Sequence, residues 1–527
     1  MPVNGRLARV LAAAVVVSLV AAGAAAGCGK TTKTPTVAVY ASANQPIVFW
    51  DPSDSYSNEI IVMNNIYETL LRYDPAKDKL IPVLATSYQV SPDGLTWTFE
   101  LRKGVKFHTG NEMTADAVKA SIERTMKRGM GASFIWSAVK EIKVLDRYKV
   151  EFDLSYPAPL DMICASGYGA HIFDPSVVQA NGEDWFAAGH EAGTGPYMLE
   201  SFTGKEEVVL TKFPDYWGGW KGQHFDKIVF QEVSEASTRA QMVQAGQADF
   251  VDNLPIEQID RLRSDPNVAI TQTPSFQNLL GFFNTAKPPL DNVLVREALS
   301  YAVPYDQIIT EVMKGTATQG QGPVPKGMWG HDDSLPQPTY DLAKAKQLLT
   351  QAGFPNGGFK LVLTYASGDE TERRVAELYK ASLAQLGINL EIRGMPWEPQ
   401  WDLAKATKPA DRQDIFVMYW WPDYCTPYSW LNAMFHSEDT INFNLGYYKN
   451  PEYDKLIDEA QKLSGSNRAQ AVEEFKQAQK ILCNDWVAIY FFDQNYVRAM
   501  RADFKGYVDN PAYPHVVFFY NTYRGSK

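Results

Sequence analysis

The densest set of side chains able to do chemistry is Tyr419-Trp420-Trp421-Pro422-Asp423-Tyr424-Cys425-Thr426-Pro427-Tyr428-Ser429-Trp430, where six aromatic rings surround one charge, Asp423. A carboxylate among ring faces suits an ammonium group: the acid supplies the charge, and the rings supply their negative faces and exclude water. The same composition suits a packed core in which Asp423 caps a helix or holds a turn, because aromatic side chains bury large areas. Both readings stay open at this point, and the backbone says where the acid stands. Asp414-Ile415-Phe416-Val417-Met418 reads as a buried strand, a short apolar run entered from a polar segment. Pro422 then removes a ladder donor. Asp423 is therefore expected where a strand stops and a loop begins, the crevice edge at which open α/β sheets hold ligands.

Other chemistries find less support. The chain has no Gly-x-Ser-x-Gly elbow and no His-Glu-x-x-His pair. Gly29-Lys30-Thr31 resembles the end of a phosphate loop, but the required first glycine is Ala24. Seven scattered His and four Cys show no metal-ligand spacing. The expectation is a protein that is not an enzyme and carries no cofactor. A glycosidase-type carboxylate pair, in a secreted glycoside hydrolase, stays open as the remote alternative. The net charge of −11 lacks any basic stripe, which excludes nucleic acid as an expected partner.

The elements that must position Asp423 belong to a chain of 527 residues, too long for one hydrophobic core. Arg6 and Arg9 precede an apolar stretch, Val10 to Ala26, that ends in Ala25-Ala26-Gly27-Cys28. This resembles a bacterial lipobox with Ala25 in place of the usual Leu. It predicts a signal peptide over 1–27, lipidation of Cys28 and a tether over 28–35; a transmembrane anchor is the rival. The product would be exported and lipid-anchored, on the extracytoplasmic face of the cell membrane or in a periplasm.

Thr36–Tyr40 alternates as a strand, and Asn58–Tyr73 has helical spacing. Leu84–Gly110 reads as a hairpin with Pro92-Asp93-Gly94 at its turn and Trp97, Phe99 and Leu101 on one buried face. Lys360–Tyr365, Glu370–Leu386 and Ile388–Ile392 form a strand–helix–strand unit with Gly387 at the helix end, which implies parallel strands. Helices are predicted over Tyr453–Leu463 and Asn467–Leu482, and a strand over Trp486–Phe492.

The stretch Leu84–Gly110, Leu-Ala-Thr-Ser-Tyr-Gln-Val-Ser-Pro-Asp-Gly-Leu-Thr-Trp-Thr-Phe-Glu-Leu-Arg-Lys-Gly-Val-Lys-Phe-His-Thr-Gly, resembles the signature of the family 5 extracellular solute-binding proteins. These are the dipeptide and oligopeptide receptors of bacterial ABC importers. Thr114–Val118, Gly193-Thr194-Gly195-Pro196-Tyr197, Asp215-Tyr216-Trp217, Phe283-Asn284-Thr285 and Val295–Leu299 are similar to family segments in the same order.

The resemblance implies an α/β, two-lobed periplasmic-binding-protein type II fold with a hinge and an extra subdomain in the first lobe. Lobe I would comprise 36–274 plus 485–527, and lobe II 275–484. Asp423-Tyr424-x-x-Pro427 followed by Leu431-Asn432 is similar to the oligopeptide-binding pattern, in which the acid holds the ligand's α-ammonium. Trp50, Trp397, Trp420, Trp421 and Tyr424 are the candidate wall residues, with Phe283 and Asn284 toward the hinge side. Dipeptide-specific members carry an Arg where this chain has Thr364–Asp369, which contains none. A longer peptide, or another small solute such as an oligosaccharide, therefore fits better than a strict dipeptide. The implied partners are ABC permease subunits and, through Cys28, the membrane; the implied state is a monomer. Three cysteines besides Cys28 allow three pairings, with Cys425–Cys483 favoured because both fall in lobe II.

Overall fold

Two long strands, Val268–Phe283 and Ala488–Arg501, run antiparallel and join everything else. Both are rich in β-branched and aromatic residues, which suits a strand packed on both faces. They are the centre of an eleven-stranded sheet. On one flank lie Phe250–Val251, Val37–Ser42, Lys227–Glu232, Glu207–Lys212 and Tyr197–Thr203, in that order. On the other lie Ile415–Trp420, Lys360–Ala366 and Asn389–Met395, and the eleventh strand, Ala317–Gln319, pairs with Ala488–Arg501 off this path. This computed structural model describes residues 35–526 except 48, 75, 76, 78 and 204–206. The expected signal segment and Cys28 lie outside the described residues.

The ladder between the long strands shifts register twice, between Leu279 and Leu280 and, more widely, between Pro274 and Asn278. Pro274 pairs with Asn495 and Asn278 with Asp493, so two more residues intervene on one strand than on the other. Pro274 has no N–H to give, and the freed segment turns outward: Phe276 N donates to Pro511 O at 2.7 Å and Ser275 Oγ to Gln494 O. The returning strand begins at Ala488 and extends to Arg501, well past the expected end at Phe492. Each flank then has its own helices, which gives a two-lobed α/β molecule with a crossing of two strands between the lobes.

The first lobe carries an extra four-stranded sheet of Ala85–Val90, Thr96–Leu101, Lys149–Leu154 and Val139–Asp146, with helix Ala115–Arg128 packed on it. The expected hairpin is its first pair, and Trp97, Phe99 and Leu101 are buried. The helix expected over 58–73 is corrected: it spans only Ile60–Ile66, because Leu71–Asp74 pairs with Lys79–Pro82. In the second lobe Lys360–Ala366 pairs in parallel with both Asn389–Met395 and Ile415–Trp420. Gly387 adopts φ +73°, the left-handed conformation expected at a helix end.

Ile415–Trp420 separates two cores. Ile415 and Val417 enter one with the helices Val293–Tyr301 and Glu370–Ala384. Phe416, Met418 and Trp420 enter the other with the helices Tyr428–Phe435, Pro451–Ser466 and Arg468–Asn484. The side-chain period of two thus explains why nearly every residue of this strand is buried. The second core is continuous with that of the first lobe. Cys483 is a free, buried cysteine, so the favoured pairing of Cys425 with Cys483 is corrected. Cys483 lies late in Arg468–Asn484, 3.8 Å from a Cβ placed on Gly322; Cys425 follows the strand, its carbonyl accepting from the Trp329 indole at 2.8 Å.

Candidate functional site

Asp423 stands three residues past the end of Ile415–Trp420, beyond Pro422, as the local sequence predicts. The chain then enters helix Tyr428–Phe435, whose first turn turns back onto it. Ser429 Oγ donates to Asp423 Oδ2 at 3.0 Å, and the Asp423 N–H donates to Ser429 Oγ at 3.1 Å. From the first lobe Tyr56 Oη donates to Asp423 Oδ1 at 2.5 Å. The Asp423 carbonyl accepts from Ser166 Oγ at 2.7 Å and Tyr513 Oη at 3.3 Å. Both lobes therefore close on this residue.

The side chain is buried, and its acidity reflects that. Desolvation pushes its pKa up to about 6, while the Tyr56 and Ser429 hydrogen bonds pull it partly back. Among the described residues no Arg or Lys contributes to holding it ionised. A buried carboxylate without a paired charge is costly to ionise.

Around it runs a chain of rings that crosses between the lobes. Tyr513 meets Tyr168 at 5.5 Å, Tyr168 meets Tyr56 at 5.4 Å, and Tyr56 meets Phe134 at 5.9 Å. Phe134 meets Phe443 of the second lobe at 6.5 Å, and Phe443 meets Trp401 and Trp420 at 5.6 and 5.9 Å. Trp421 stands beside the Tyr168 hydroxyl and opposes the upward shift of its pKa that burial causes. The Trp420 indole N–H has no partner among the described residues.

Of the residues nominated from sequence, Asp423, Trp420, Trp421 and Tyr424 come together here. Tyr424 is buried, its hydroxyl accepting from Gln461 at 3.2 Å. Trp397 is 45% exposed and lies at the outer end of the aromatic chain, on Trp401 and Phe416. Trp50 packs edge-on against Phe202 at 5.0 Å inside the first lobe, away from Asp423. Phe283 and Asn284 are not brought to the site either. The antiparallel register pairs Phe283 with Ile415, at the opposite end of the strand from Asp423, and Asn284 Nδ2 donates to Pro409 O at 2.7 Å.

Sequence reasoning missed Tyr56, Phe134, Tyr168, Phe443 and Ser429. Tyr56 lies in an irregular segment with no periodicity to flag it. Ser429 was legible only as part of the aromatic stretch.

A cavity of about 640 Å³ opens beside the strand crossing, between the lobes. Asn44 and Asn253 line it from the first lobe, Ser367 and Tyr419 from the second, and Gln494 and Tyr496 from the crossing strand. Ser367 belongs to the Thr364–Asp369 stretch that lacks an Arg. Among the described residues no group of His, Cys, Asp or Glu has the geometry to hold a metal ion.

Two α/β lobes joined by a pair of crossing strands, with a buried acid and an aromatic wall between them, define the class of two-lobed solute-binding proteins. The chain belongs to the bacterial extracellular solute-binding proteins, family 5, whose middle-region profile matches residues 79–442. It is 31% identical over 468 residues to the probable D,D-dipeptide-binding periplasmic protein DdpA of Escherichia coli K12, covering 86% of this chain and 88% of that one. It is 30% identical over 469 residues to the glutathione-binding protein GsiB of Pectobacterium atrosepticum, covering 88% and 89%. The structure of the ABC transporter-associated periplasmic binding protein DppA from Helicobacter pylori, in complex with the peptide STSA, matches with a TM-score of 0.80 at 26% identity, over 93% of this chain and 99% of that one. The protein is thus a solute-binding protein of the kind that serves ABC importers, acting outside the cytoplasm.

Proposed function

We propose that the protein captures peptides by their free amino terminus between its lobes and delivers them to an ABC permease. The observation that carries this reading is Asp423: a buried carboxylate, held by Tyr56 and Ser429, ringed by aromatic faces and without an internal cation. Relatives named for dipeptide and glutathione binding, and a structural neighbour holding a tetrapeptide, support peptide over other solutes. The mechanism is closure: a ligand that contacts both lobes favours the closed state, which the permease reads. The proposal includes a lipid on Cys28 as anchor, removal of residues 1–27 and a monomeric receptor. Lobe I is 36–274 plus the C-terminal return, and lobe II starts at 275. The pairing of Ala488–Asp493 with the second-lobe end of the long strand supports carrying lobe II past 484, to the crossing near Asp493.

The test is native mass spectrometry on the soluble chain from residue 29, followed by thermal shift against peptides and oligosaccharides. Peptide at about 100 times its dissociation constant adds about 2.7 kcal/mol of stability. Retained peptide masses, or shifts with free-amine peptides and not with their N-acetyl forms, support the proposal. Shifts with sugars alone overturn the peptide reading.

A further inference from the structure

The inter-lobe cavity, which Asp423 does not itself line, has a charged feature of its own. Arg498 and His515 both line it. Arg498 sits on the returning long strand, opposite Thr271, and its side chain is 3% exposed. Its guanidinium is only partly engaged. Nε faces Asp509 Oδ1 at 3.4 Å, Nη1 approaches His515 Nδ1 at 3.3 Å, and the plane lies 4.1 Å over the Tyr496 ring. Nη2 has no hydrogen-bond partner among the described residues.

A buried, unpaired guanidinium N–H costs free energy unless an acceptor arrives. The acceptors beside it, Asp509, His515 and the Tyr507 hydroxyl, leave Nη2 without a hydrogen bond of its own among the described residues. Asp509 is already shared with Tyr507 Oη at 2.9 Å and Thr273 Oγ1 at 2.8 Å. His515 is held neutral by burial and by the guanidinium beside it, its pKa pushed down to about 4, so it accepts from Arg498 rather than repelling it. The acids on the cavity wall are occupied elsewhere: Glu257 faces Lys314 at 3.3 Å and Arg374 at 3.7 Å, Glu370 pairs with Arg373, and Asp369 caps its helix through Glu372 N at 2.8 Å. Tyr496 stacks beneath the guanidinium and fixes its plane, which leaves Nη2 for an oxyanion.

We infer that Arg498, backed by His515 and Tyr496, binds the carboxylate of the captured ligand, at the opposite end from the ammonium site. This rests on the peptide reading above. It also accounts for the absence of an Arg in Thr364–Asp369: the cation is supplied from the crossing strand instead of the second lobe. A carboxylate held from this strand while its ammonium is held by Asp423 of lobe II would make one ligand span the crossing.

The test uses Ser-Thr-Ser-Ala, whose only carboxylate is its C-terminus, with its C-terminal amide and N-acetyl forms as probes in calorimetry. Wild type is expected to bind the free acid at least about tenfold more tightly than the amide. Arg498→Gln is expected to bind both equally while still preferring free amine over N-acetyl peptide. Arg498→Lys, which keeps a charge beside Asp509 and guards against a folding defect, is expected to lose most of the discrimination because it lacks the planar fork. Equal loss for acid and amide in Arg498→Lys, or no preference in wild type, overturns the assignment. A ligand-independent arm separates this from failure of the peptide reading. Acetate is titrated against chloride at equal ionic strength while the Arg498 side-chain ¹⁵N–¹H signal, identified by its loss in Arg498→Gln, is followed. A saturable shift with acetate alone supports the anion site even if no peptide binds, and no shift overturns it.

Discussion

Asp423 has its protonation balanced by competing contacts, and the balance is measurable. Because burial raises its pKa to about 6, the ligand-free fold favours the protonated acid. The unfolded chain ionises first as pH rises, so this group's contribution to stability falls between its ordinary value and about 6 and is fully lost above that. A ligand ammonium selects the ionised form and must expel the proton at lower pH. Affinity for free-amine peptides is therefore expected to tighten as pH rises from about 5 to 7, by up to about tenfold per unit below the pKa, with N-acetyl peptides flat. Asp423→Asn should abolish that dependence and weaken free-amine peptides by about 2–5 kcal/mol. Isothermal titration across pH checks both, and equal loss for acetylated and free peptides would make Asp423 a structural residue.

The segments through which the sequence resembles its family act mostly on structure at the level of elements. His108 of the Lys106–Gly110 stretch is buried, its Nδ1 2.7 Å from Glu191 Oε2 and its Nε2 2.9 Å from the Gly195 carbonyl. Burial opposes its charging, but Glu191 and the Gly195 carbonyl together raise its pKa. Gly195, in Gly193–Tyr197, gives its N–H to the Ile66 carbonyl at 2.7 Å, where helix Ile60–Ile66 ends. A Cβ on Gly195 would stand 2.5 Å from that oxygen. Two distant segments thus lock the end of the helix just downstream of Tyr56. Gly195→Ala is expected to destabilise the fold by about 3 kcal/mol, as overpacking against backbone does. Urea unfolding measures it, and a loss below about 1 kcal/mol would show that the backbone yields.

Across the whole molecule, three hydrogen bonds between the lobes meet at one loop, beside ion pairs such as Arg468–Asp161 and Lys314–Glu257 elsewhere. Tyr56, Ser166 and Tyr513 all reach Asp423, and the strand crossing breaks register at Pro274–Asn278. Tyr56→Phe removes one bridge while keeping the ring contacts to Phe134 and Tyr168. The ligand-free variant is expected to populate a more open state, seen as a larger radius of gyration in solution scattering. An unchanged radius would place the closing free energy in the remaining bridges and the shared apolar core.

The sequence by itself determined the elements and the character of the site. The short apolar run Ile415–Met418 and the block at Pro422 placed Asp423 at a strand end, and Gly387, the Leu84–Gly110 hairpin and the parallel strand–helix–strand unit all follow from local rules of period and backbone freedom. Local rules failed where a partner far along the chain decided the outcome. Leu71–Asp74 left its helical pattern to pair with Lys79–Pro82, and the returning strand ran on to Arg501 because Val268–Phe283 lay beside it. Only the tertiary structure could bring Tyr56 to Asp423, 367 residues away, withdraw Trp50, Phe283 and Asn284 from the site, and leave Arg498 with a donor facing a cavity. Type and spacing set what a side chain can do; register, burial and the closing of two lobes set what it meets.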